Sequence, residues 1–420
     1  MMRQMKDSGV EWMGQIPEKW KVQRAKTLFL QRLTKGNQYT VLLAATQKHG
    51  MLPQSEVEGV VQVKEDADLQ QFRTVHKNDF VISLRSFQGG FEFSQYEGVC
   101  SPAYQVFYST KPICYSYYRM LFKSDGFIKK MNSLTVGIRD GKNIQYDDFA
   151  NSLVPVPPLK EQEHIADYLD RKCAEIDAII AKQQQIIEKL KEYKLSIITE
   201  AVTKGLDPNV PMKDSGVEWI GKVPEKWDIS RIKYICVFNP KRKEINCNAF
   251  VSYAPMECVK DGYLIKKQIR YTDISTGLTS FEDGDIIMAK VTPCFENGNI
   301  AIAKDLINKF GVGSSELFVF RATKVNTRWL FYFLRNSVFK SLAKATMTGT
   351  GGLKRVSPDF VRDFSLALPP EKEQLKIVEF LDSACVKIDE IIKHKQEEVE
   401  KLNQYKKALI YEVVTGKMEV

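Results

Sequence analysis

The amino-acid sequence predicts an α+β molecule of two like halves. They are related by a pseudo-two-fold and separated by two long antiparallel coiled-coil helices. Three observations predict this. The segment KDSGVEWMGQIPEKW at Lys6–Trp20 returns as KDSGVEWIGKVPEKW at Lys213–Trp227, and Lys6–Lys26 matches Lys213–Lys233 at 14 of 21 positions without a gap. A second block, PPLKEQEHIADYLDRKCAEIDAII and onward (Pro157–Thr203), aligns with PPEKEQLKIVEFLDSACVKIDEII and onward (Pro369–Thr415) at a constant offset of 212. Between these blocks the two copies do not resemble each other. A period this long is not that of a solenoid; it is a duplicated module whose framework was kept while its middle diverged.

The chain therefore divides into a first body at 1–156, a first spacer helix at 157–205, a second body at 206–368 and a second spacer helix at 369–420. Each body opens on a copy of the head segment. Its tryptophans, Trp12 and Trp20 with Trp219 and Trp227, are expected to anchor a socket that joins the end of one long helix to the next body.

The spacer blocks carry the marks of helices. Pro157-Pro158 and Pro369-Pro370 stand just ahead of them, where a missing N–H costs little. Glu161, Glu163, Glu371 and Glu373 lie in the first turn, where the helix dipole favours acids. A 4-3 apolar spacing follows through Leu169, Cys173, Ile176, Ile180, Ile187, Leu190 and Ile197. The second copy gives Leu381, Cys385, Ile388, Ile392, Val399, Leu402 and Leu409. Polar residues interrupt both seams at the same places: Gln183 with Lys395, and Lys194 with Lys406. Such spacing over four or more heptads predicts a coiled coil, and a polar seam residue can fix its register. A helix of roughly 44 residues runs about 65 Å, longer than a small domain is wide. Flanking Ile179, Ile186, Ile198, Ile391 and Ile410 widen the stripe and suit docking of further protein subunits or cover of the domain surface. Chain order makes the helices antiparallel: the first delivers the chain to the second body, and the second must return toward the first.

Charge is unevenly placed. Of the net +9, residues 1–156 carry +5 and 206–368 carry +7, whereas the spacer blocks carry −1 and −2. A basic excess confined to two blocks suits a polyanion bound at two places. No apolar run approaches the roughly 20 residues that span a bilayer, and MMRQMKDSGVEW has no stretch resembling a signal peptide. Eight scattered cysteines without a C-x-x-C pair suit a reducing cytoplasm and give no zinc pattern. The expectation is a cytoplasmic protein with no membrane partner and no metal site.

Catalytic motifs are absent from the sequence. The four histidines (His49, His76, His164, His394) pair with no Cys or Ser in a recognisable setting. GIRDGK (Gly137–Lys142) has the wrong spacing for a phosphate loop, and GTGG (Gly349–Gly352) follows no strand-like run. The Asn/Asp-Pro-Pro-aromatic signature of amino-methyltransferases does not occur. Glu161/Glu163 and Glu397/Glu398 read as solvated helix faces. The loops after strand-like runs instead carry side chains suited to nucleic acid. The first body offers Arg85, Ser86 and Gln88, then Arg139, Lys142, Asn143 and Gln145. The second offers Lys290, Thr292, Asn297 and Asn299, then Lys344, Thr346, Thr348, Lys354 and Arg355. Arg and Lys pair with guanine, Asn and Gln pair bidentately with adenine, and lysines hold phosphates. Taken singly, each reads as an ordinary exposed turn residue; it is as sets within two basic bodies that they suit nucleic acid.

The doubled KDSGVEW..PEKW head and the doubled PP..EQ..I...LD....ID..I helix resemble the specificity subunit of Type I restriction–modification systems, over essentially the whole chain. SLRSFQGG through GVCSPAYQVF (Ser83–Phe107) and DIIMAKVTPCFENGNIA through GSSELFVFR (Asp285–Arg321) are similar to two different target-recognition-domain types of that family. The resemblance implies that each body is a mixed α/β target recognition domain reading one half of an asymmetric, split site in double-stranded DNA. The helices would space the half-sites and dock two methyltransferase subunits. S-adenosylmethionine, ATP and Mg would be used by partner methyltransferase and restriction/translocase subunits, and this chain would catalyse nothing. Two other readings stay open: a nuclease or methyltransferase with a cryptic site, and an adaptor that binds only proteins.

Overall fold

The computed structural model describes residues 3–36, 41–47, 49–57, 69–83, 90–134, 144–241, 246, 248–274, 277–350 and 352–420. The chain forms two compact units. Met1–Gln183 with Glu397–Val420 makes the first, and Gln184–Gln396 the second. The long helices, Leu159–Lys204 and Glu371–Val414, are therefore each shared by the two units.

Each unit builds the head segment in the same way. Met5–Asp7 pairs antiparallel with Gln15–Pro17, and Met212–Asp214 with Lys222–Pro224. The following strand pairs with the strand just ahead of the long helix: Lys21–Arg24 with Leu153–Val156, and Asp228–Arg231 with Ser365–Leu368. Lys26, the last residue of the repeated head, bonds Asn151 at 2.9 Å, and its counterpart Lys233 bonds Asp363 at 2.5 Å. Each divergent body thus leaves and re-enters a fixed frame at neighbouring points.

Inside that frame the bodies share one antiparallel sheet. In the first unit its order is Phe29–Arg32, Gln105–Ser109, Phe80–Ile82, Phe91–Phe93; in the second it is Cys236–Phe238, Leu317–Ala322, Ile286–Ala289, Ile300–Ile302. Three helices pack with it in each: Tyr115–Lys123, Asp125–Leu134 and Tyr146–Asn151, then Thr327–Arg335, Ser337–Ala345 and Pro358–Asp363. The outer layers differ. The first body carries two two-stranded ribbons, Leu43–Thr46 with Gly50–Pro53 and Arg73–Val75 with Gly98–Cys100. The second carries another four-stranded sheet, in which Phe250–Ala254 runs parallel to Phe310–Gly313.

The helices pair as the seam predicts. In the first unit Leu169, Ile176, Ile180 and Leu409 are buried in one cluster, with Val399 and Leu402 packed against it. In the second, Leu381 and Cys385 share a cluster with Ile198, and Ile197 packs on it. Ile187 and Ile388 are buried, and Leu190 and Ile392 half-buried. Lys194 Nζ meets both Asp389 oxygens at 2.7 Å, and Lys406 Nζ meets those of Asp177 at 2.7 and 2.6 Å. Numbers rising on one helix meet numbers falling on the other, so the pair is antiparallel. The two polar seam lysines are satisfied by equivalent aspartates, Asp389 and Asp177, 212 residues apart. The seam also does more than pair two rods, because its outer ends are built into the body cores.

The socket closes as the repeat implies. In the first unit Gly416 ends the second long helix at φ 73°, with Pro17 and Trp20 against its Cα; a Cβ there would lie 2.4 Å from Pro17 Cδ. In the second, Gly205 ends the first long helix at φ 81° beside Trp227. Both are left-handed C′ positions, where a Cβ is costly. Trp20 and Trp227 are fully buried, Trp12 meets Phe127 edge to face, and Trp219 packs on Phe364 at a tilt.

Candidate nucleic-acid interface

In the second body the two chosen loop segments come together, although about 60 residues separate them. Thr292 N–H donates to the Lys354 carbonyl at 2.9 Å, and Lys354 N–H donates to Thr292 Oγ1 at 2.9 Å. Thr292 Oγ1 in turn donates to the Gly352 carbonyl at 2.8 Å. Val356 N–H reaches the Lys290 carbonyl at 2.9 Å, and Thr348 and Arg355 exchange both backbone hydrogen bonds. The product is a ridge that brings together Lys290, Thr292, Thr348 and Lys354, with Leu353 exposed beside them. Local propensity does not signal the meeting of the segments, because the bonds of Thr292 with Lys354 and Gly352 and of Lys290 with Val356 all cross between them.

Other chosen side chains are occupied by the protein itself. Arg355 forms a fork–fork pair with Glu316 at 2.8 and 2.9 Å. The arginine holds the Glu316 carboxyl below its ordinary range, and Glu316 raises the guanidinium in return. Lys344 pairs with Glu296 at 2.6 Å, and Thr346 Oγ1 donates to the Ala343 carbonyl at 2.8 Å. Asn297 and Asn299 stand apart from the ridge and line a hollow that also takes in Lys191 and Lys194 of the long helix.

In the first body Gln145 precedes the helix Tyr146–Asn151 and accepts from Gln105 Nε2 at 2.9 Å. Arg85, Ser86, Gln88, Arg139, Lys142 and Asn143 lie outside the described residues.

Sequence reading missed the side chains that hold each body to its helix. Gln162 is buried; it accepts from Cys114 N–H at 3.0 Å and donates to the Pro157 carbonyl at 2.9 Å. Gln374 repeats both bonds with Asn326 N–H at 2.8 Å and Pro369 at 2.9 Å. Arg119 clips to Asp170 at 2.6 Å, and Arg328 to Asp382 at 2.5 Å. The doubled Pro-Pro-x-x-Glu-Gln was the available signal for the glutamines. Glu161, read as part of a solvated face, pairs with Arg3.

Each shared sheet also carries a buried aspartate just before its Phe80–Ile82 or Ile286–Ala289 strand. Asp79 accepts from His76 N–H at 2.8 Å and from Arg32 Nε at 2.7 Å. Asp285 accepts from Glu282 N–H at 2.7 Å and from Arg321 Nη2 at 2.7 Å.

Along the long helices Ile179 and Ile391, counterparts at offset 212, are both 45% exposed, as are Tyr193 and Tyr405 at 58% and 57%. Ile186 is also exposed, whereas Ile198 is buried in the core and Ile410 half-buried, so the apolar stripe open to solvent is narrower than the sequence suggests. Among the described residues no helix is long and apolar enough to cross a membrane, and no group of three or more His, Cys, Asp or Glu is placed to hold a metal ion.

Two bodies of one frame and unlike outer layers, with their ends clipped to paired helices, define a duplicated α+β scaffold. The chain belongs to the Type I restriction modification DNA specificity domain family, whose model matches it twice, at residues 11–197 and 224–401. It is 29% identical over 199 residues to the Type I restriction enzyme EcoEI specificity subunit of Escherichia coli, covering 46% of this chain and 33% of that one. The chain thus matches about a third of the length of that relative. The MjaVIII specificity subunit of Methanocaldococcus jannaschii is 25% identical over 368 residues, covering 82% of this chain and 80% of its own. A chain in a solved structure concerned with assembly and conformational transition of the type I R-M system has the same fold, with a TM-score of 0.72 at 13% identity and coverage of 96% and 99%.

Proposed function

We propose that this chain is the DNA-reading subunit of a Type I restriction–modification complex and performs no catalysis itself. Each body reads one half of a bipartite duplex site. Because the loops and outer layers of the bodies differ, the two half-sites differ and the target is asymmetric. The observation that carries this reading is the single frame built twice around unlike outer layers. The ridge of Lys290, Thr292, Thr348 and Lys354 supports it with cations for phosphates and polar groups for base edges. On the first body, Arg85, Ser86, Gln88, Arg139, Lys142, Asn143 and Gln145 are the corresponding candidates.

The long helices act as the spacer between half-sites. The equivalent exposed pairs Ile179/Ile391 and Tyr193/Tyr405 suit two copies of one partner, which we assign to methyltransferase subunits. S-adenosylmethionine belongs to those subunits, ATP and Mg to restriction/translocase subunits, and the complex works in the cytoplasm.

The test is to exchange residues 27–151 for the body of another family member and map methylated adenines in a host that supplies the partner subunits. One half-site should change and the other stay. A site altered in both halves, or in neither, would refute the reading. Product from the lone chain incubated with DNA, Mg²⁺ and S-adenosylmethionine would favour a cryptic enzyme instead.

A further inference from the structure

A hollow of about 440 Å³ opens in the second unit, within the range of roughly 300–1,000 Å³ typical of small-molecule sites. Its floor is apolar: Met288, Phe295, Ile300 and Leu334 are each at most 3% exposed. Its rim is polar and rich in cations. Lys191, Lys194, Arg335 and Lys340 line it with Asp261 and Asp389, and Lys191 also meets Glu188 at 2.8 Å on the exposed helix face, a pair weak enough to yield to a stronger anion. Both aspartates are already taken, Asp389 by Lys194 at 2.7 Å and Asp261 by Arg335 at 2.6 Å. Lys340 is left with a long 3.4 Å bond to the Glu296 carbonyl, and burial pulls its ammonium below the ordinary lysine range despite nearby Asp261. An ammonium withdrawn from water without a close counterion is stabilised by any anion that arrives beside it. The amides of Asn297 and Asn299 stand at the same mouth and can donate to that anion.

We propose that this hollow binds a nucleoside phosphate, with the phosphate among Lys340, Lys191 and the two asparagine amides and the ring on the apolar floor. Lys340, which has no ion pair among the described residues, and Lys191, held only by an exposed pair, can both turn to a dianionic phosphate, with the asparagine amides as further donors. The apolar floor gives a ring a seat that inorganic phosphate would leave empty. The occupant is either a free nucleotide or a nucleotide of a strand, and the same chemistry receives both. This inference does not depend on the proposed DNA-reading role, and either can fail alone.

The test is calorimetric titration of the full chain with AMP, adenosine and inorganic phosphate, repeated for Lys340→Met and Lys191→Glu. AMP should bind at least about tenfold more tightly than adenosine or phosphate, and Lys340→Met should lose about tenfold of that affinity. Lys191→Glu, at an exposed helix position, should weaken AMP several-fold and serves if Lys340→Met fails to fold. Displacement of AMP by a short duplex would make a strand nucleotide the occupant; retention of AMP would make it a free one. Equal binding of AMP and adenosine, wild-type affinity in Lys191→Glu, or no binding of any probe overturns the proposal.

Discussion

The two bodies solve one folding problem with different side chains. Where the first sheet packs Phe80, Phe91 and Phe107 into a dense aromatic cluster, the second places Ile286, Ile300 and Phe320. Opposite Val81 the first strand pair carries Glu92, buried and held by Lys123 at 2.8 Å; opposite Ile287 the second carries Ala301. Even the shared buried aspartate is answered from different strands: Arg32 on the sheet's edge strand serves Asp79, and Arg321 on its inner neighbour serves Asp285. What is kept is position, pairing order and attachment to the helix; what varies is how the interior is filled. Cores tolerate such substitution when volume and pattern are preserved, so the outer layer is free to diverge while the frame holds.

That comparison can be broken first at the aspartates. Asp79→Ala and Asp285→Ala each strip the partner from a partly buried arginine and leave a backbone N–H unanswered, so each should lose about 3 kcal/mol in urea unfolding. Arg321→Met should cost more than Arg32→Met, because Arg321 also holds Glu282 at 2.9 Å. Equal losses would mean the pairs contribute alike despite their different strands.

The socket gives the next contrast. Gly416→Ala and Gly205→Ala both place a Cβ in left-handed backbone, at about 1 kcal/mol. Only Gly416 has rigid ring atoms at 2.4 and 2.9 Å, whereas the nearest atom to Gly205 is Glu373 Oε1 at 3.0 Å. The Gly416 variant should therefore melt several degrees below the Gly205 variant.

The smallest effect is electrostatic. Burial raises the Glu92 carboxyl above its ordinary 4.5, and Lys123 only partly offsets this. The folded state then holds that proton more tightly than the unfolded chain. Its favourable contribution is complete below pH 4.5 and is lost as pH rises through the folded value. Relative to wild type, Glu92→Gln should gain stability as pH is raised across that window in unfolding curves. Ala301→Gly, at the matching place in the second body, should show no such pH term.

The legible part of the molecule was the part with local or repeated signals. A 4-3 apolar period is written within one helix, so the seam, its antiparallel sense and the socket tryptophans could be read directly. The shared sheet could not, because Phe80 and Ile286 occupy equivalent places without resembling each other, and strand pairing is non-local. The candidate site divides along the same line. Thr292 and Lys354 meet as a ridge, but nothing local showed that Arg355 would be spent on Glu316, or that Asn297 and Asn299 would turn toward the helix side.

Because Arg24 pairs with Leu153, and Arg231 with Ser365, the two junctions of each divergent insert lie side by side on a constant ribbon. A recombination event that trades everything between them inherits both seams intact. Heredity can thus shuffle these cassettes like interchangeable bits in one chuck, changing what is gripped without retooling the handle.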